Sequence, residues 1–133
     1  MKLTSAAVLL VLLLPAGCGG DDSSFTEGYN KAVEPLSRLG QGLGGKPREF
    51  ARLAESTRQT RARLAKLDPP DDAKDEFRAL LTRLDDVTAD LDSVAKAERT
   101  DDIVKQRQAA ADLVKSSTAV ERAETALKQA VEG

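Results

Sequence analysis

The sequence lacks the residue types on which several kinds of active site depend. It contains no histidine, no tryptophan, one tyrosine and one cysteine. Without histidine, a catalytic triad with a histidine base and a metal site with imidazole ligands are both excluded. A single cysteine excludes an internal disulfide. An enzyme would have to use groups such as paired carboxylates, and we predict instead a non-enzymatic protein with no catalytic residue, no metal site and no cofactor.

The chain also lacks a large excess of either charge. Twenty basic and 22 acidic side chains give a formal net charge of −2. Proteins that bind nucleic acid through their overall field carry excess positive charge, so no nucleic-acid partner is predicted. Aromatic residues make up 3%, charged residues 32% and hydrophobic residues 41% of the 133 residues. This balance and length are typical of one soluble helical domain and not of a disordered chain.

Long apolar runs are absent except at the start of the chain. Lys2 and the amino terminus form a short positive region, and residues 6–14 form an uncharged apolar stretch that stops at Pro15. This is the anatomy of an export signal. A spanning helix needs about 20 apolar residues, so the pattern favours a removable signal over residues 1–17 rather than a permanent transmembrane anchor.

A cysteine directly follows this signal. The residues concerned are Pro15, Ala16, Gly17 and Cys18. They resemble the lipobox of bacterial lipoproteins, in which small residues precede an invariant cysteine. Ala16, Gly17 and Cys18 match that pattern, whereas Pro15 stands where Leu or another aliphatic residue is usual. The resemblance implies that the thiol of Cys18 receives diacylglycerol and that cleavage makes Cys18 the first residue of the mature protein.

The same resemblance implies a location. The protein would be held at the cell membrane through acyl chains on Cys18, on the extracytoplasmic side. Residues 19–24 are Gly, Asp and Ser, a polar composition typical of a flexible tether. We therefore assign residues 18–24 to the lipidated cysteine and tether, and residues 25–133 to the folded domain. The alternative is an ordinary secreted protein with one spare thiol.

Four segments of this domain place apolar residues at alternating steps of three and four, which predicts four helices with one buried stripe each. The stripes run from Phe25 to Leu43, from Phe50 to Leu67, from Phe77 to Val94 and from Ile103 to Val131. Ser24 and Glu27 form a capping-box pattern that predicts a first helix beginning at Phe25. We predict an all-α fold, an antiparallel up-down bundle of four helices after the tether.

The connection between the third and fourth helices contains neither glycine nor proline. Residues 98–102 form either a tight turn with Thr100 as the N-cap or the middle of one long rod. A rod would expose its stripe unless it dimerised. We favour the turn because folding back allows one chain to bury all four stripes.

The second and third helices carry opposite charge. Residues 46–68 hold seven basic and three acidic side chains, and residues 69–99 hold nine acidic and five basic ones. Antiparallel neighbours of opposite sign attract, so these helices are expected to be adjacent. As an alternative, the basic residues of the second helix could meet anionic lipid headgroups or an acidic partner.

One further segment carries a likeness to known proteins. Its residues are Leu64, Leu67, Asp68, Pro69, Pro70, Phe77, Leu80 and Leu84. The segment is similar to a piece that recurs in small uncharacterised helical lipoproteins of bacteria. The likeness implies a helical bundle at the cell envelope and attaches no activity to it.

Four polar residues interrupt the apolar stripes: Thr57, Thr60, Gln106 and Ser117. They could line a cavity for a small ligand, or they could bond to their own helix backbone. Two functions therefore stay open from the sequence. The first is a binding or structural module for another envelope component, such as a protein partner. The second is a small-ligand carrier with a pocket in the bundle core.

Overall fold

The chain forms the predicted all-α bundle. The structure is a computed structural model that describes residues 21–40 and 46–133, with side chains for residues 24–36 and 46–133. Its four helices are α1 (Asp21–Gly40), α2 (Pro47–Leu64), α3 (Lys74–Ala97) and α4 (Ile103–Glu132). A short 3-10 turn, Asp71–Ala73, leads into α3. Each helix packs on the next in sequence, which confirms the up-down arrangement.

The apolar stripes of all four helices meet in one core. The side chains with at most 1% of their surface exposed include Tyr29, Leu36, Leu53, Leu64, Leu80, Leu91, Val120 and Leu127. Phe25 and Phe77 lie edge to face, with ring centroids 5.3 Å apart. Burying one large apolar side chain contributes about 1.5–3 kcal/mol, so the bundle depends on tertiary burial more than on helix propensity.

Gly28 marks a close approach between α1 and the chain that leaves α2. A Cβ atom at this position would lie 2.9 Å from Leu67 Cδ2. Phe25 contacts Phe77, which lies near the start of α3. The start of α1 therefore lies at the same end of the bundle as the turn at Pro69 and Pro70.

The first helix extends further toward the amino terminus than its stripe. The structure places residues 21–24, which were assigned to the tether, inside α1. The prediction that the helix begins at Phe25 is therefore wrong, and Ser24 with Glu27 does not form its start. Glu27 instead pairs with Lys31 one turn later, at 3.1 Å. The preceding acidic residues suit the positive end of a helix dipole, which does not depend on the apolar stripe.

The tight turn between α3 and α4 is confirmed, but its cap is not the predicted residue. Asp102 is the N-cap of α4, because its Oδ1 accepts the backbone N–H of Lys105 at 3.1 Å. The Thr100 hydroxyl donates to the carbonyl of Ala97 at 2.7 Å. Thr100 thus satisfies the end of α3, which leaves the cap of α4 to the next suitable side chain.

Candidate functional site

The predicted lipidation site lies outside the described residues. Pro15, Ala16, Gly17 and Cys18 all fall there, as does the rest of the signal. In the described part of the chain, no helix is long and apolar enough to span a bilayer. The same residues contain no group of three or more His, Cys, Asp or Glu side chains placed to hold a metal ion. Acylation of Cys18 therefore stays a prediction from the sequence.

The second half of α2 has its charge matched by α3. Arg58 forms an ion pair with Asp92. Arg61 Nε lies 3.2 Å from Asp85 Oδ1, close enough for an ion pair although not aligned as a hydrogen bond. The predicted adjacency of the two oppositely charged helices is confirmed. Exposed pairs of this kind contribute at most about 1 kcal/mol, so they indicate register more than stability.

The basic side chains in the first turns of α2 differ from those in its second half, because no acidic side chain among the described residues forms an ion pair with them. Lys46, Arg48 and Arg52 line an open groove of about 660 Å³ together with Arg99 from the turn between α3 and α4. Within the described ranges, none of these four side chains forms an ion pair. We call this feature the basic groove. Its remaining lining residues are Pro47 and Glu49.

The start of α2 is built so that the basic side chains surround a helix end. Pro47 occupies the first helical position, where its missing N–H costs nothing. The Glu49 carboxylate accepts the backbone N–H of Lys46 at 3.2 Å. The only carboxylate of the groove is thus engaged with the backbone, and the positive end of the helix dipole adds to the charge of Lys46 and Arg48. The arrangement attracts anions.

The opposite end of the bundle is acidic. Because α2 has 18 residues, the helix is about 27 Å long from end to end. Asp68, Asp71, Asp72 and Asp75 are exposed beyond that last turn. Lys74 Nζ lies 2.7 Å from Asp71 Oδ1, and this hydrogen bond lowers the pKa of Asp71. The two ends of the bundle therefore present different charge to their surroundings.

Two exposed aliphatic side chains lie at the start of α4. Ile103 is 60% exposed and Val104 is 77% exposed. Both follow the turn that carries Arg99. Large apolar side chains that face water singly are ordinary, but these two are consecutive. The end of the bundle that carries the basic groove therefore also exposes an apolar pair.

The polar residues on the stripes divide into two kinds. The Thr57 hydroxyl donates to the carbonyl of Leu53 at 2.7 Å, and Gln106 Nε2 donates to the carbonyl of Thr100 at 2.7 Å. The hydroxyls of Thr60 and Ser117 are buried without a hydrogen-bond partner in the structure. Three surface grooves are bounded by described residues, and none of these four polar residues lines any of them.

A buried ionisable pair was missed by the sequence reasoning. Tyr29 on α1 is 1% exposed and Glu124 on α4 is 4% exposed, and their side chains are hydrogen-bonded. Burial raises the pKa of Tyr29 well above its ordinary value, and the Glu124 carboxylate raises it further. The sequence did contain a signal for this pair. Glu124 lies between Val120 and Leu127, at a position where the helical repeat of the fourth stripe predicts a buried residue. The pair links the first helix to the last.

Fold and surface define a four-helix bundle with a basic groove at one end and a partly polar core. No protein-family model, curated protein or solved structure matches this chain.

Proposed function

We propose that this chain is an exported lipoprotein whose helical bundle acts as a non-enzymatic binding module at the outer face of the cell membrane. The location is supported by the order of features at the amino terminus. A positive start, an apolar run and the small residues Ala16 and Gly17 lead directly to Cys18, the only cysteine of the chain. Two acyl chains on that thiol hold a protein stably at a bilayer.

The binding role rests on the unpaired cations of the basic groove. Elsewhere on α2, basic side chains pair with carboxylates of α3, as Arg58 does with Asp92 and Arg61 does with Asp85. Arg48, Arg52 and Arg99 converge without such partners. Unpaired cations in one groove can attract an external anion. The electrostatic field of a cation that is paired with a carboxylate is already partly cancelled.

The anchor would give the bundle a defined orientation. Cys18 precedes the first residue of α1, Asp21, by three residues, a reach of at most about 11 Å. Since the start of α1 lies at the same end of the bundle as Asp68 and Asp71, the tether would hold that acidic end nearest the membrane. The basic groove would then face away from the bilayer, toward the space in which an envelope partner is found.

Mass spectrometry of the membrane-extracted protein tests the anchor. We expect residues 18–133 carrying a diacylglyceryl group. Cys18→Ser should leave the precursor uncleaved and unmodified, while Ser24→Ala, a change just beyond the site, should leave processing intact. A wild-type chain with a free thiol at Cys18 would contradict the proposal. Because Pro15 departs from the lipobox, Pro15→Leu should raise the processed fraction.

A small-ligand carrier is the second candidate, and two buried hydroxyls favour it. Thr60 and Ser117 carry oxygen atoms without a partner in the core. A buried hydroxyl that lacks a hydrogen bond costs about 1–3 kcal/mol. A bound polar molecule that satisfied either hydroxyl would recover part of that cost.

Valine substitutions distinguish a dry core from an occupied one. In a dry core, Thr60→Val removes an unsatisfied hydroxyl and should raise the free energy of unfolding by about 1 kcal/mol. Thr57→Val is the matched control, since its hydroxyl already bonds to Leu53 and its loss should bring no such gain. Urea denaturation measures both variants. A Thr60→Val variant that is less stable than wild type would favour the carrier.

A further inference from the structure

The residues that line the basic groove indicate what kind of anion it suits. Its charged side chains are Lys46, Arg48, Arg52 and Arg99 against the backbone-engaged Glu49. Among the described residues, no aromatic side chain lines it, so they offer no face on which a sugar ring or a base could stack. The same described lining contributes no hydroxyl or amide side chain. Recognition in this groove must therefore act on charge.

The cations approach the groove from separate parts of the bundle. Arg48 and Arg52 lie one turn apart on α2, whereas Arg99 comes from the turn between α3 and α4. A carboxylate is planar, and one guanidinium fork can satisfy both of its oxygens. A phosphate group presents oxygens in several directions, which suits cations that converge from different elements. The arrangement favours phosphate over carboxylate.

The groove is open to solvent, and this affects how large a ligand must be to bind there tightly. Lys46, Arg48, Arg52 and Arg99 are all exposed. A single phosphate ion would stay largely hydrated there and would bind weakly. A chain of linked phosphates would meet several cations at once, release its counterions and gain from multivalency. An extended polyanion is therefore the better match.

Building on the proposed function as a binding module, we propose that the basic groove binds a linear polymer that carries repeated phosphate groups. The groove faces away from the acidic end of the bundle, so such a polymer can reach it while the acidic end lies against the membrane. The polymer contacts Arg48 and Arg52 on α2 and Arg99 on the turn between α3 and α4, together with Lys46.

Binding of inorganic polyphosphate by the full-length protein in a neutral detergent tests this inference. We expect binding that weakens as salt rises, and an affinity about tenfold lower in the double variant Arg48→Gln/Arg52→Gln. The control is Arg63→Gln/Lys66→Gln, which removes the same charge from exposed residues at the other end of α2 and should stay within about twofold of wild type. Circular dichroism melting checks that both variants fold.

Three outcomes would overturn the inference. Equal losses in the two double variants would mean general charge attraction. Groove-dependent binding that is tighter for poly-glutamate than for polyphosphate would indicate an acidic protein partner. Groove-dependent binding to phosphatidylglycerol vesicles without binding to polyphosphate would indicate a lipid surface. An unacylated Cys18 would overturn the proposed location and leave this result standing, so the two failures are distinguishable.

Discussion

At the scale of single residues, the pair of Tyr29 and Glu124 places the strongest demand on the core. An ionisable group is buried at low cost only when it is neutral or well paired. Tyr29 meets this condition as a neutral phenol that donates to the Glu124 carboxylate, and burial raises its pKa far above the ordinary value. Removing the phenol would leave a buried carboxylate with one donor fewer, a change that is strongly destabilising.

This pair predicts a dependence of stability on alkaline pH. Since the folded state raises the pKa of Tyr29, its stabilisation is fully present below pH about 10 and is lost as the pH rises above that value. The loss approaches about 1.4 kcal/mol per pH unit. Urea denaturation of wild type and Tyr29→Phe across this range should show a steeper loss of stability in wild type, with the variant less stable at neutral pH.

Tyrosinate absorbance gives an independent reading of the same group. Tyr29 is the only tyrosine and the chain has no tryptophan, so the ultraviolet signal reports one side chain. In the folded protein it should ionise only together with unfolding, while in urea it should titrate at about pH 10. A folded chain whose phenol titrates at that ordinary value would show that Tyr29 is not buried against Glu124.

At the scale of the helices, caps decide where each element begins and how the chain turns. The α3–α4 connection has no glycine or proline and is held by side chains instead. Gln106 reaches back from α4 to the carbonyl of Thr100, and Asp102 caps the first turn of α4. The connection between α2 and α3 uses Pro69 and Pro70, and the carbonyl of Pro70 accepts the N–H of Ala73. Two different turn chemistries thus give the same reversal of direction.

Capping by Asp102 can be measured directly. Asp102→Ala removes the acceptor for the N–H of Lys105 and should lower the free energy of unfolding by about 1 kcal/mol. Asp101→Ala removes the same charge one residue earlier, where the side chain is exposed and forms no hydrogen bond or ion pair with the described residues, and should change stability little. Chemical denaturation of the two variants compares them. Equal effects would mean that charge, and not the cap, is responsible.

At the scale of the whole molecule, one chain buries residues from all four stripes in a single core. The core draws on every helix, and α3 packs on both α2 and α4. The large hydrophobic side chains exposed among the described residues are Ile103, Val104 and Val114. All three are on α4, and no continuous seam of the coiled-coil kind is left uncovered. The arrangement therefore does not need a second copy to complete its core.

Light scattering of the fragment 21–133 tests this arrangement. We expect a compact monomer, because folding at residues 98–102 returns α4 onto α3. Val104→Asp changes the most exposed apolar side chain and should leave the mass unchanged. An elongated dimer would mean that α3 and α4 form a continuous rod and that the hairpin is wrong.

Much of the fold follows from the sequence alone. The four stripes predicted four helices, because helical periodicity depends only on neighbours along the chain. The opposite charges of residues 46–68 and 69–99 predicted that α2 and α3 are adjacent. Pro47 suits the first helical position of α2 for the same local reason. The acylation of Cys18, also a matter of local sequence, stays a prediction that the folded domain does not bear on.

The tertiary structure decided the features that depend on register between helices. Thr100 and Asp102 are both suitable caps, and only the end of α3 determined which one serves α4. Glu124 meets Tyr29 because the whole core sets how far α4 runs back past α1. The register of α2 on α3 gives Arg58 a carboxylate and leaves Arg52 without one. The sequence by itself determined the helices, which are local, while packing decided which charges were paired and which, among the described residues, were left without an ion pair.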